Sequence, residues 1–188
     1  MSLVVRSALA AATLMVSVAA QLVWPSFADS GDLVFAASQL LGWLLVATVL
    51  RDGAGHHPFL DSTLAGRAGK RLLLAGCSLQ MLFALAYGAT AAIDGQPLEA
   101  SFLLFLLGFL SIFVGGLTWG RALLRSEASR TAGLGVLATA GLGLLAMLVG
   151  TDPFHDVFLL SSYAAWVLVG LGLEQPARTR GDLSAASR

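Results

Sequence analysis

The segment GTDPFHD, Gly150 to Asp156, places two carboxylates, an imidazole and a proline between two long apolar runs. Imidazole and carboxylate groups bind transition metals and transfer protons. Two other short connections are also acidic. The side chains that would converge on one metal or proton site are Asp32, Glu99, Asp152, His155 and Asp156. Their spacing matches no defined metal motif, so this site is the alternative interpretation.

The first interpretation of GTDPFHD is a tight turn between two helices. Asp152 is suited to cap a helix that begins at Pro153, because Asp is a favoured N-cap and Pro a favoured first residue. Asp156 then lies in the first turn, facing the positive end of the helix dipole. No sequence motif implies a cofactor, and none is expected.

Polar and aromatic residues at membrane depth form a second group. Gln39 precedes Trp43 by four residues, and a shift of 123 residues superimposes them on Ser162 and Trp166. Each indole lies about 15 Å into its helix at 1.5 Å per residue and needs an acceptor there. We expect the residue four positions earlier to supply it, both indoles to face inward and the two helices to be neighbours.

These groups have two open interpretations. They form ordinary hydrogen bonds between helices, or they line a small pocket for a neutral or aromatic ligand between spans two and six. The candidate ligand-binding residues are Gln39, Trp43, Gln80, Tyr87, Ser111, Ser162 and Trp166.

Catalysis within the membrane is not favoured. No charged residue or histidine falls near the middle of an apolar run, although proton-coupled transporters and pumps normally need one. The sequence also lacks the HExxH, GxSxG, P-loop and CxxC patterns of common catalytic and metal sites.

The elements that position these residues follow from composition. The chain of 188 residues is 57% hydrophobic and 12% charged, against roughly 25% charged in a soluble domain. Apolar runs of about 20 residues predict an all-α, polytopic six-helix bundle in residues 1–175 and a polar cytoplasmic tail in 176–188. The predicted spans are Leu3–Trp24, Asp32–Leu50, Leu72–Ile93, Leu98–Gly120, Thr131–Gly150 and Phe154–Leu173.

The distribution of charge predicts orientation. All eleven Lys and Arg residues fall on one side of the spans. The charged residues of the connections on the opposite side are all acidic. The positive-inside rule then places both termini in the cytoplasm, and we expect the membrane to be a bacterial plasma membrane. Arg67, Lys70 and Arg71 precede span three, where they set topology or contact anionic lipid. Residues 1–20 have an alternative interpretation as a cleaved signal peptide.

Small residues in the spans favour close helix contact. Gly116 and Gly120 form a GxxxG step, and Gly133, Gly135, Gly141 and Gly143 follow in span five. We therefore expect assembly with a second copy or a membrane-protein partner, and no nucleic-acid partner. The leading hypothesis is a non-enzymatic binding module. One alternative is a facilitative transporter or channel for an uncharged solute. The other is a metal-dependent or acid–base enzyme at the acidic rim, the side of the bundle formed by the three acidic connections.

Overall fold

A computed structural model describes residues 1–23, 28–55, 63–94, 101–125, 129–150 and 153–174. These residues form six α-helices and contain no strand. All six are long and apolar enough to cross a membrane, which confirms the prediction of an all-helical fold with six long apolar helices. The helices are α1 (Leu3–Val23), α2 (Ala28–Gly55), α3 (Leu64–Asp94), α4 (Ser101–Arg125), α5 (Arg130–Val149) and α6 (Pro153–Glu174).

Several helices extend beyond their predicted spans. α3 begins at Leu64 instead of Leu72, so Arg67, Lys70 and Arg71 lie within the helix and not before it. The Thr63 hydroxyl accepts a hydrogen bond from the Gly66 amide at 3.0 Å, which caps this early start. The apolar run marks only the part of a helix that lipid surrounds, and helices continue past it into the polar zone. α6 begins at Pro153, as predicted.

The helices form a closed ring in sequence order. Each helix contacts the next along the chain, and α6 contacts α1. Successive helices are antiparallel, so their ends alternate between two ends of the bundle. The basic end is defined by Leu3, Gly55, Leu64, Arg125, Arg130 and Glu174, and the acidic end by the six other helix termini.

Glycines set the closest contacts between neighbouring helices. An added Cβ at Gly69 of α3 would lie 2.6 Å from the Trp119 amide nitrogen of α4, and one at Gly115 would lie 2.7 Å from that of Leu73. Gly116 and Gly120 of the GxxxG step face α5 in the same chain. This step therefore holds the bundle together internally, and it does not supply a free surface for a second copy.

Candidate functional site

A cavity of about 40 Å³ lies inside the ring, on the side enclosed by α2 to α6. Its polar and amphipathic lining is buried: Gln80 is 2% exposed, Ser162 3% and Trp43 5%. Three of the seven predicted ligand-binding residues therefore line one cavity. The lining residues are Trp43, Gln80, Phe105, Phe109, Ile112, Phe113, Thr139, Ala140, Gly143, Met147, Leu159, Ser162 and Tyr163.

Gln39 lies behind the cavity and joins three helices. Its Nε2 donates to Ser17 Oγ of α1 at 2.8 Å and to Tyr163 Oη of α6 at 3.3 Å. Its Oε1 accepts from Trp43 Nε1 at 2.7 Å, one helical turn further along α2. The expected bond between residues four apart is thus present in α2. The Trp43 and Tyr163 rings also meet edge to face, with centroids 6.3 Å apart.

The orientation of the Gln39 amide is determined by Trp43. An indole N–H only donates, so the atom facing Trp43 must be the carboxamide oxygen. The two amide hydrogens then serve Ser17 and Tyr163. Tyr163 accepts one bond, and its own hydroxyl hydrogen has no acceptor among the described residues. Tyr163 is also one of the residues that line the cavity.

Gln80 supplies an acceptor on the opposite side of the ring. Its Nε2 donates to the Phe105 carbonyl at 3.1 Å, which links α3 to α4. The close approach of these helices permits this bond, because a Cβ on Gly108 would lie 3.1 Å from Gln80 Nε2. No described donor reaches Gln80 Oε1. The cavity lining therefore contains an unused acceptor as well as the unused hydrogen of Tyr163.

Ser162 does not serve the indole of Trp166, contrary to expectation. The Ser162 hydroxyl donates to the Thr139 carbonyl at 3.0 Å, and the Thr139 hydroxyl lies 3.3 Å from the Ser162 carbonyl. These bonds join α5 to α6. Trp166 is 1% exposed, and its Nε1 has no partner among the described residues. A short hydroxyl bonds readily to nearby backbone, which leaves the indole unpaired.

A layer of buried apolar residues lies between the cavity and the basic end. Leu50 of α2, Leu73 of α3, Leu123 of α4 and Leu173 of α6 are fully or almost fully buried there, together with Trp119. None of the described residues that line the cavity is charged. The described lining is therefore uncharged and carries a few hydrogen-bonding groups.

Four predicted ligand-binding residues lie outside the cavity. Gln39 supports it, Trp166 is buried elsewhere, and the Ser111 hydroxyl donates to the Leu107 carbonyl of its own helix. Tyr87 donates to Asp32 Oδ1 at 2.7 Å and so joins α3 to α2 near the acidic end. A contact series from Tyr87 through Phe83 to Phe105, with centroids 5.5 and 5.3 Å apart, leads to the cavity wall.

The described residues of the predicted metal or proton site at the acidic rim make contacts with different helices. Asp32 is held by Tyr87, whereas His155 Nδ1 donates to the Ala146 carbonyl of α5 at 2.7 Å. Within the described residues, no three His, Cys, Asp or Glu side chains form a group suited to a metal ion. Glu99 and Asp152 lie outside the described residues. Asp156 lies in the first turn of α6, as the turn interpretation requires.

Several important residues were not singled out from the sequence. Phe105, Phe109 and Phe113 line the cavity with a spacing of four, a helical stripe that the sequence displays. At the basic end, Arg6 forms an ion pair with Asp52, and Glu174 accepts from the Val4 amide at 2.9 Å. No sequence signal predicts these two contacts, because each depends on which helices are neighbours.

Six described helices that are long and apolar enough to cross a membrane suggest the class of multi-pass helical membrane proteins. No protein-family model, no curated protein and no solved structure gives a match to this chain. Function therefore has to be argued from the chain's own geometry.

Proposed function

We propose that this protein acts by binding a small uncharged molecule in the central cavity. The observation that carries the proposal is that two residues lining one cavity each have an unused hydrogen-bonding group. These groups are the hydroxyl hydrogen of Tyr163 and the side-chain oxygen of Gln80. A buried donor or acceptor without a partner costs about 1–3 kcal/mol, so a bound molecule that satisfies both is stabilised.

The size of the cavity limits the ligand. Ligand pockets for larger organic molecules span roughly 300–1,000 Å³, whereas about 10–15 Å³ suffices for one water. At about 40 Å³, the chamber accommodates water or a neutral molecule of a few heavy atoms. An aromatic ligand would require movement of lining side chains such as Phe109 and Met147. The proposal therefore favours a small hydrogen-bonding molecule over an aromatic one.

Two glycines of α5 provide a matched test. A Cβ at Gly143 would enter the cavity, 3.3 Å from Phe109 Cε2 and 3.5 Å from Ser162 Oγ, whereas a Cβ at Gly141 meets nothing within 4 Å. We would titrate purified protein in detergent with formamide, acetamide and methanol and follow tryptophan fluorescence. Saturable changes should occur in wild type and Gly141→Ala, and they should disappear in Gly143→Ala and Trp43→Phe. Equal responses in both glycine variants would reject the cavity as the site.

Facilitative transport of an uncharged solute is the second hypothesis, and it needs a continuous polar path. The apolar layer between the cavity and the basic end interrupts such a path. An enzyme at the acidic rim has less support, since Asp32 and His155 bond to different helices. Swelling of proteoliposomes in formamide that exceeds empty controls would favour transport over binding.

We further propose a bacterial plasma-membrane location with the basic end in the cytoplasm, so that both termini are cytoplasmic. The support is the complete segregation of basic residues to one end. A reporter that is active only outside the cytoplasm should be active after Gly95 and silent after Ser126. Reporter activity after Ser126 would indicate the opposite orientation, with the basic end outside the cytoplasm. Binding of a membrane-protein partner or a second copy remains a proposal without a defined surface.

A further inference from the structure

A groove of about 610 Å³ opens on the outer surface at the basic end, between the start of α3 and the last turns of α4. It is separate from the central cavity, with which it shares no lining residue. Arg121 and Arg125 line it, and the polar lining also includes Thr63 and Thr118. Val114 and Leu117 form its apolar part, further along α4 from the basic end.

The groove changes from apolar to cationic along α4. Val114, Leu117, Thr118, Arg121 and Arg125 follow one another at spacings of one, three and four and share one side of the helix. Val114 and Arg125 are separated by about 16 Å along the helix axis at 1.5 Å per residue. A molecule lying in the groove would therefore meet apolar side chains at one end and two guanidinium groups at the other.

The surroundings of the two arginines are strongly basic. Arg67 and Arg71 of α3 and Arg130 of α5 lie at the same end, on the two helices that neighbour α4. Within the described residues, no carboxylate forms an ion pair with Arg121 or Arg125. The ion pair of Arg6 with Asp52 is on α1 and α2, which do not line the groove. The local field thus favours an anion.

α4 also has the most lipid-accessible surface of the six helices. Only 28% of its span is buried, against 39–44% for the others. Leu103, Leu107, Leu110 and Val114 are large exposed apolar residues of this helix. The groove therefore opens beside a surface suited to acyl chains, which distinguishes a lipid from a soluble anion.

We propose that this groove binds one anionic phospholipid. The headgroup phosphate accepts hydrogen bonds from the Arg121 and Arg125 guanidinium groups, whose planar forks suit phosphate oxygens. An acyl chain lies along Val114 and Leu117. The two long arginine stems allow their charged ends to reach the headgroup level while their methylene groups remain against the apolar wall. Arg67 and Arg71, exposed on α3 outside the groove lining, contribute general positive potential only.

The test compares two double variants that each remove two positive charges from the same end. The full chain in dodecyl maltoside is titrated with phosphatidylglycerol or phosphatidylcholine, and bound lipid is counted by native mass spectrometry. Wild type and Arg67→Gln/Arg71→Gln should bind phosphatidylglycerol selectively with similar affinity. Arg121→Gln/Arg125→Gln should bind it at least about tenfold more weakly, because it alone loses the charge-assisted hydrogen bonds from the two guanidinium groups to the phosphate.

Three results would overturn the site. The first is an equal loss of affinity for phosphatidylglycerol in the two double variants. The second is no preference of wild type for phosphatidylglycerol over phosphatidylcholine. The third is displacement of bound lipid by millimolar glycerol phosphate. The last result would assign the arginines to a soluble anion. If Arg121→Gln/Arg125→Gln fails to fold, Arg121→Lys/Arg125→Lys keeps the charge and loses the planar fork. It should still bind phosphatidylglycerol more weakly than wild type, and unchanged affinity there would also count against the proposal.

Discussion

Trp43 of α2 and Trp166 of α6 are two indoles in matched sequence positions with different surroundings. Both are buried, at 5% and 1% exposure, and each follows a polar residue by four positions. Trp43 donates to Gln39 at 2.7 Å. Trp166 has no partner within the described part of the chain, because Ser162 donates to the backbone of α5 instead.

The difference shows that the length of the acceptor side chain decides the outcome. A glutamine carboxamide reaches one helical turn along its own helix and still has two hydrogens for neighbouring helices. A serine hydroxyl extends only one bond beyond Cβ, and that of Ser162 donates to a carbonyl of the adjacent helix α5. The shift of 123 residues therefore aligns residue types without aligning their interactions, and the resemblance between α2 and α6 does not extend to their chemistry.

The largest effect should come from Gln39→Leu, which keeps the side-chain volume and removes all three bonds of the amide. Trp43, Ser17 and Tyr163 each lose a partner inside the bundle. At roughly 0.6–2 kcal/mol per bond in a membrane protein, we expect a loss of about 2–4 kcal/mol in the free energy of unfolding. Reversible unfolding in mixed micelles measures it. A loss below that of Ser162→Ala would contradict the central role of this amide.

Paired Trp→Phe substitutions test the comparison directly. Trp43→Phe leaves Gln39 Oε1 without its donor and should cost about 1–3 kcal/mol. Trp166→Phe also shrinks a buried ring, which is destabilising, but it removes an N–H that has no partner, which is stabilising. Because the two effects offset, the free energy of unfolding should change by less than about 1 kcal/mol. Similar losses in both variants would indicate that Trp166 has an acceptor after all.

Ser162→Ala should have a smaller effect, about 0.5–1.5 kcal/mol, because it removes one neutral hydrogen bond between α5 and α6. The Trp166 emission spectrum should not shift, since the hydroxyl does not contact that indole. A spectral shift in a variant that retains Trp166 as its only tryptophan would restore the originally expected pairing.

The rim provides the smallest expected effect. The same shift aligns Asp32 with His155, yet Asp32 accepts from Tyr87 while His155 donates to the Ala146 carbonyl. His155→Ala should cost about 0.5 kcal/mol, the lower end for one hydrogen bond, because the His155 side chain is only half-buried. Elemental analysis should give the same metal content as wild type. Stoichiometric metal in wild type that disappears in this variant would establish a metal site instead.

Sequence reasoning predicted what depends on local composition. The six apolar helices, the start of α6 at Pro153 and the bond from Trp43 to Gln39 follow from periodicity and from contacts within one helix. The cavity required knowledge of which helices are neighbours. Tyr163 is inconspicuous in the sequence, and its importance arises only because α6 contacts α2 across the ring. The early start of α3 was missed because the basic residues Arg67, Lys70 and Arg71 interrupt the hydropathy signal.

The contact between α1 and α6 has a consequence for the order of folding. The ring closes through contacts such as Val4 with Glu174, which are 170 residues apart in the chain. At about 5–20 residues per second, α6 emerges roughly 10–30 seconds after α1. Ser17, Gln39 and Trp43 can bond as soon as α1 and α2 meet, whereas the other Gln39 hydrogen must wait for Tyr163. During that interval the ring is open between α1 and α5, because α6 is absent. The Gln39 amide and the Val4 amide then lack the partners that α6 supplies, Tyr163 and Glu174.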